Sequence, residues 1–201
     1  MINYMPELPE VEVVKRSLKK KIENLTVSEV NIINNKLRYK INSNSLGLIS
    51  GKKLISIKRR SKYLLFNFTK MITMIVHLGM TGKFFILDKN NLRHKTSFYY
   101  DLNVKDKKHN HVIITFKNNF KLIYNDVRKF GFIKIESSDK IKKNKHINLL
   151  GVEPLSKNFN YKYFKNYINL RKRLIKDIMM DQKFIAGLGN IYVNEILFAS
   201  G

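Results

Sequence analysis

The sequence contains no cysteine in its 201 residues. Disulfides and thiolate zinc sites are therefore excluded from this chain. Acidic residues are scarce, with 15 Asp and Glu against 39 Lys and Arg, a formal net charge of +24 and a pI near 10.1. Such an imbalance points to a polyanionic partner, nucleic acid before an anionic membrane. Part of the excess follows from a composition rich in Lys, Asn and Ile, as AT-rich coding DNA gives. No apolar run is long enough to span a bilayer, and the N-terminus lacks a basic region followed by an apolar core. The expectation is a soluble, cytoplasmic protein with no membrane partner. Prolines number only three, yet two of them, Pro6 and Pro9, fall with three carboxylates inside residues 5–12.

What is present is enough apolar material, 44% of residues, for one good core or two small ones. Val11, Val14, Leu18 and Ile22 recur at helical spacing, so residues 9–22 read as an amphipathic helix with Pro9 in its first turn. Glu10 and Glu12 lie near its positive end and Lys19, Lys20 and Lys21 near its negative end. From Thr26 to Glu136 the signal changes to short β-branched and aromatic runs: 27–33, 54–58, 63–68, 72–78, 84–87, 112–116, 121–124 and 132–135. Asn118-Asn119 suits a hairpin turn. Residues 90–110 are polar and read as a mobile loop. Many short strands with polar connections imply an antiparallel sandwich or barrel. Residues 137–148 are lysine-rich and weakly patterned, which places a linker there. Beyond it the pattern is helical, over 161–168, 171–180 and 190–198, with Asn190 as the N-cap of the last. The fold class is thus α+β: a leading helix and antiparallel sandwich over 5–136, a linker over 137–148, and a helical unit over 149–201.

Pro6 is the sharpest candidate for chemistry. At a mature N-terminus proline is a secondary amine, a nucleophile able to form an iminium; inside a chain the same nitrogen is an inert amide. Met1 to Tyr4 stand in front, so the amine requires a start at Met5 with that methionine removed, or another cut. On chemistry alone, a proline near an N-terminus is more often a helix entry. Glu7 precedes the predicted helix, beside the proline. Lys62, alone, reads as a solvated charge after two arginines, and His77, in an apolar strand, as a satisfied core histidine. Met80 and Phe130 are flanked by glycines, which argues for exposed loop tips.

Six motifs occur in order: Met5-Pro6-Glu7-Leu8-Pro9-Glu10-Val11-Glu12, Arg59-Arg60-Ser61-Lys62-Tyr63-Leu64-Leu65, His77-Leu78-Gly79-Met80-Thr81-Gly82, Asp126-Val127-Arg128-Lys129-Phe130-Gly131, Leu150-Gly151-Val152-Glu153-Pro154-Leu155 and Gly187-Leu188-Gly189-Asn190-Ile191-Tyr192. Together they resemble the bacterial formamidopyrimidine-DNA glycosylases, which excise oxidised purines such as 8-oxoguanine. Leu8 favours this branch over endonuclease VIII, which has Gly there. The resemblance implies that Pro6 attacks C1′ and forms a Schiff base, followed by β,δ-elimination. It makes Glu7 the proton carrier for sugar opening and Lys62 the holder of a phosphate beside the lesion. Glu10 is a supporting residue, or simply a helix-start carboxylate. Met80, Arg128 and Phe130 would fill the gap left by a flipped-out base. His77 and Asn190 become phosphate contacts, and Lys176 a helical lysine near DNA.

The implied partner is double-stranded DNA with oxidised purine or abasic sites, met by a monomer at the nucleoid. The family continues through a helix–two-turn–helix region into a zinc finger with four cysteines. Neither the finger nor its zinc can be placed in this chain, so no cofactor is expected here and zinc belongs only to a longer form. The helical unit is then expected to be incomplete. Three readings follow: a genuine glycosylase and abasic-site lyase, a decayed DNA-binding remnant of that family, or an unrelated basic nucleic-acid-binding module.

Overall fold

The computed structural model describes residues 6–97, 107–169 and 171–201. The leader Met1 to Tyr4 and the middle of the 90–110 loop lie outside the described residues.

The leading helix, α1, runs Leu8–Ile22. Its period-3.6 stripe of Val11, Val14, Leu18 and Ile22 is buried, as an amphipathic surface helix requires. Nine strands follow among the described residues: β1 Val27–Ile32, β2 Leu54–Arg60, β3 Tyr63–Phe68, β4 Ile72–His77, β5 Gly82–Leu87, β6 Arg93–Lys95, β7 Asn110–Phe116, β8 Lys121–Asp126 and β9 Phe132–Ser137. They form two antiparallel sheets, one ordered β1-β7-β8-β5-β6 and one β2-β3-β4-β9. A single apolar cluster fills the space between them, with Phe66, Phe84, Phe116 and Tyr124 from the sheets and the α1 stripe closing one end. The fold is α+β, as the leading helix, the short strand runs and the later helical pattern implied.

Two strands matter most for the site. β4 ends at His77 and β5 begins at Gly82, so residues 78–81 form a loop at one edge of the sandwich. β8 ends at Asp126 and β9 begins at Phe132, which puts residues 127–131 at the same edge. The β7–β8 hairpin turns at Asn118-Asn119, with Asn119 at φ +65°, as its sequence suggested.

The last third is helical. Its helices are α3 Tyr161–Ile168, α4 Ile175–Met180 and α5 Asn190–Ser200; a short α2, Ser43–Gly47, lies earlier in the chain. A second apolar cluster gathers Ile178, Met179, Phe184, Ile185, Leu188 and Val193. Phe184 is its centre, stacked on Tyr167 at 3.8 Å and on Tyr163 at 5.4 Å between ring centroids. The chain from Gly151 to Val152 pairs with the stretch around Phe184, through Gly151 N–H to Gln182 O (2.8 Å) and Ala186 N–H to Val152 O (2.9 Å).

Three expectations need correction. The 90–110 segment is not wholly loop, because Arg93–Lys95 pairs with β5 as an edge strand. Its anchors are the Arg93 guanidinium, 3.6 Å from the Phe85 ring centroid, and Thr96, whose hydroxyl donates to Phe84 O at 2.7 Å. The helix expected over 171–180 starts only at Ile175. Residues 138–143 form 3₁₀ turns rather than featureless linker. Behind them Ile147 packs on Leu65, Ile75 and Phe132 on the outer face of the smaller sheet.

Candidate functional site

Glu7 is 1% exposed, and its side chain is the hub of the site. Its carboxyl oxygens accept the backbone N–H groups of Gly189 (2.7 Å), Ile191 (2.9 Å) and Tyr192 (3.4 Å). These are the free donors at the start of α5, which every helix must satisfy somehow. The N-cap backbone position is Gly189, with no capping side chain of its own. Asn190 is the first helical residue and exposed, so it is not the cap. The acceptor comes instead from the far end of the chain, where Glu7 reaches the donors of the first turn. A further tie, Leu8 N–H to Gly187 O (3.1 Å), fixes the same junction.

Glu10 orders the start of α1. One oxygen accepts the Glu7 N–H at 2.9 Å and the other the Tyr192 hydroxyl at 2.9 Å. Pro6 lies half-buried immediately before this junction. Gly189 is where the third element enters. A Cβ there would stand 2.5 Å from Glu7 Oε1 and 2.8 Å from the Lys62 ammonium. Lys62 therefore faces Glu7 across the bare Gly189 backbone. Burial pulls its ammonium below the ordinary lysine range, opposed by the charges of Glu7 and Glu10.

Lys62 sits in the two-residue turn that joins β2 to β3. Around the turn runs a chain of ions. Glu12 accepts from Lys15 (2.6 Å), Arg16 (2.9 Å) and Arg59 (2.9 Å). Arg59 also reaches Glu153 at 2.7 Å, and Arg60 reaches it at 3.0 Å. Burial opposes ionisation of Glu12, but hydrogen bonds from Lys15, Arg59 and Arg16 outweigh it and hold the carboxyl at about 2. Burial likewise opposes ionisation of Glu153, and the Ser61 N–H with both arginines draws it below the usual range. Gln182 links the turn to the glycine loop. Its Oε1 accepts from Gly187 N–H (2.9 Å) and the Ser61 hydroxyl (3.4 Å), while Nε2 donates to Leu188 O (2.7 Å).

His77 closes β4, half-buried, its ring stacked on Phe132 and tilted against Tyr63. Nδ1 accepts the Gly79 N–H at 3.1 Å, which leaves the proton on Nε2. Burial first, then the charges of Lys62 and Arg38 and the neighbouring His146, push His77 down to about 4. The ring is neutral at pH 7 and presents an N–H donor. An unfolded histidine titrates near 6.5, so between that pH and about 4 the unfolded chain binds a proton that the folded one refuses. The stability from keeping His77 neutral is complete above pH 6.5 and lost as pH falls towards 4. His146, lowered mainly by burial, acts in the same direction. Urea unfolding at pH 7 and at pH 4.5 is expected to differ by on the order of 2 kcal/mol from these rings, and His77→Gln to remove much of the difference.

The two edge loops meet. Gly79, at φ +63°, packs so closely that a Cβ would stand 2.5 Å from Gly131 N. That contact sets the loop bearing Met80 against the loop bearing Arg128 and Phe130. Met80 is half-buried and Phe130 44% exposed, with the Arg128 guanidinium 4.8 Å from its ring centroid. Asp126, fully buried, holds the pair together. It accepts from Thr81 Oγ1 (2.5 Å) and Gly131 N–H (2.8 Å), and Thr81 in turn accepts the Arg128 N–H (3.0 Å).

The sequence-derived residues thus fall into two groups and a remainder. Pro6, Glu7, Glu10, Lys62 and the Asn190 helix start share one junction, with His77 near Lys62. Met80, Arg128 and Phe130 share one loop edge. Lys176 lies on α4, and no hydrogen bond among the described residues joins it to either group. Glu153, Gln182, Asp126 and Tyr192 were not singled out by sequence, though three of them stand inside the quoted motifs; Gln182 carried no signal. Among the described residues no cluster of three or more His, Asp or Glu fits a metal, and the chain offers no thiolate for zinc. No described helix is long and apolar enough to cross a membrane.

Residues 5–133 match the formamidopyrimidine-DNA glycosylase N-terminal domain, and residues 150–201 match that enzyme's H2TH domain. The formamidopyrimidine-DNA glycosylase of Rickettsia felis is 40% identical over 194 residues, 96% of this chain and 65% of the relative. The enzyme of Wolbachia pipientis is 39% identical, with 96% and 66% covered. The fold superposes on Lactococcus lactis Fpg in complex with abasic-site DNA at a TM-score of 0.80 and 32% identity, over 96% of this chain and 66% of that one. A complex of the same Lactococcus protein with DNA containing N7-benzyl-Fapy-dG gives the same figures. The chain spans about 65% of the length of the curated relatives it matches. On these matches, with both sheets and the Glu7 junction in place, the chain belongs to the formamidopyrimidine-DNA glycosylase family.

Proposed function

We propose that this chain carries the catalytic part of a DNA glycosylase and abasic-site lyase acting on oxidised purines in duplex DNA. The observation that supports it most is the Glu7 junction: a buried carboxyl group beside Pro6, tied to the 189–192 backbone and faced by Lys62. With Pro6 as the first residue, its secondary amine attacks C1′ of the damaged nucleotide. The glycosidic bond breaks, the base departs with the electron pair and a proton, and Glu7 supplies a proton to O4′ as the sugar opens. The proton lost from the attached nitrogen accounts for the one the base carries away, and the freed nitrogen lone pair breaks C1′–O4′, leaving an iminium that acidifies C2′–H. β-Elimination then expels the 3′ phosphate and δ-elimination the 5′ phosphate.

The remaining residues bind. Lys62, the neutral Nε2–H of His77 and the donors around Asn190 hold phosphates near the lesion. Met80, Arg128 and Phe130 enter the duplex and recover stacking and pairing lost when the base leaves. Glu10 keeps Glu7 in place, and Lys176 adds charge along the DNA. The same reading divides the chain at 5–136, 137–148 and 149–201. A net charge of +24 supports a backbone-dominated grip.

A second reading is a DNA-binding remnant without turnover. Borohydride trapping on a duplex containing 8-oxoguanine separates the two. The expected result is a covalent adduct located at Pro6 by peptide mass, on a chain whose intact mass begins there. Tight binding with no adduct supports the remnant. In either case the affinity is expected to fall at least about tenfold between 50 and 200 mM salt; a flat response contradicts DNA binding altogether.

A further inference from the structure

We infer that Glu153 is a positioning residue for Lys62: it holds the Ser61–Lys62 turn in the one backbone shape that aims the lysine at Glu7. Ser61 has φ +55°, while Lys62 is not among the residues of positive φ. Positive φ at the first central residue alone is the pattern of a type II′ hairpin turn, where glycine is the usual occupant. Here the occupant is a serine, 1% exposed, in a region that side chains disfavour. Such a conformation persists only when its surroundings impose it.

Glu153 imposes it. One of its oxygens accepts the Ser61 N–H at 2.5 Å, a donor that the β2–β3 ladder leaves outside its pairing. The carboxylate is itself held by two guanidiniums. Arg59 bridges it to Glu12 on α1, and Arg60 also donates to Leu150 O (2.8 Å) and Gly151 O (2.5 Å). Gln182 takes the Ser61 hydroxyl from the other side. The two side chains that clamp the turn from across, Glu153 and Gln182, belong to the segment after residue 149, while the lysine they aim belongs to the sandwich. Docking of the helical unit onto the sandwich and placement of Lys62 are then one event. In the undocked state Ser61 relaxes and Lys62 moves to solvent.

The consequence for turnover rests on the proposed function; the consequence for the lysine itself does not, and the experiment reads both. Lys62 is followed by NMR of the lysine Cε carbon through a pH titration of the full chain. In the wild type its midpoint is expected below those of the surface lysines, as its burial requires. Glu153→Ala is expected to move the midpoint up to the surface values and to slow adduct formation roughly fivefold to thirtyfold, the factor the left-handed preference represents. Adding Ser61→Gly to Glu153→Ala is expected to restore both, because glycine adopts positive φ without the clamp. Should Glu153→Ala not fold, Glu153→Gln keeps an oxygen for Ser61 but presents an amide to the arginines, and a smaller rise of the midpoint is expected. An unmoved Lys62 midpoint in a folded Glu153 variant overturns the inference, as does a moved one that Ser61→Gly fails to restore. Absence of any adduct in the wild type counts against the proposed function alone, since the titration stands without it.

Discussion

Gly189→Ala is expected to cut single-turnover base excision by at least about 100-fold while the protein stays folded. Gly189 has φ −138° and ψ −165°, an extended conformation open to any residue, so backbone freedom is not the reason. Space is. The added methyl would lie 2.5 Å from Glu7 Cδ and Oε1 and 2.8 Å from Lys62 Nζ. Glu7 cannot swing aside without stranding the N–H groups of Gly189, Ile191 and Tyr192, each of which costs about 1–3 kcal/mol when buried and unpaired. Lys62 is the end of a flexible chain and yields first. Either way, the two groups proposed to act on one sugar move apart by about an ångström, a displacement that typically costs about 100-fold. The loss should appear in kcat, with affinity for an abasic-site duplex largely kept. Gly47 supplies the control. It closes a short helix with nothing within 4 Å of a built Cβ, so Gly47→Ala is expected to leave turnover unchanged and stability the same or slightly higher. Full activity in Gly189→Ala would show that Glu7 and Lys62 do not act together.

The sequence made some of this legible and hid the rest for physical reasons. Strands 63–68 and 72–78 were readable because β-branched and aromatic runs are local signals, and the second ends one residue earlier, at His77. The α1 stripe was readable for the same reason. Strand ends ran two residues past their predicted limits at Arg60 and Asp126, where polar residues continue the ladder that apolar patterning stops at. The start of α4 was misplaced because Arg171, Lys172 and Arg173 are good helix formers whose propensity the tertiary structure overrides. In the site, Pro6, Glu7 and Lys62 were named from motifs, yet what binds them was not visible. Glu7 is 182 residues from Gly189 along the chain, and the cap it provides displaces the one that Asn190 promised. Glu153 and Gln182 likewise act only through contacts that folding creates. A carboxylate beside a proline reads as a turn until its partner across the fold is known.

Asp126→Ala is expected to destabilise the protein by about 3 kcal/mol, a large share of the roughly 5–15 kcal/mol typical of a domain. Asp126 is fully buried and takes hydrogen bonds from the Thr81 hydroxyl, the Gly131 N–H and, at 3.4 Å, the Tyr124 hydroxyl. Removing it leaves the Gly131 N–H without an acceptor in a place water does not reach. Asp126→Asn keeps one carbonyl oxygen and is expected to lose roughly half as much, which denaturant unfolding of the two variants resolves. The functional effect is separable from the energetic one. Thr81 holds the Arg128 N–H and Gly131 abuts Gly79, so the loop edge bearing Met80, Arg128 and Phe130 is one unit only while Asp126 ties it. Losing the tie lets the two tips part. Nonspecific affinity should not fall, because the substitution removes a negative charge from a protein already at +24. Preference for an abasic-site duplex over an undamaged one should fall about tenfold, since in the proposed function all three side chains fill the void together. A variant that loses stability yet keeps its full preference would mean that the tips find the void independently, and that their proximity in the free protein is not what reads the lesion.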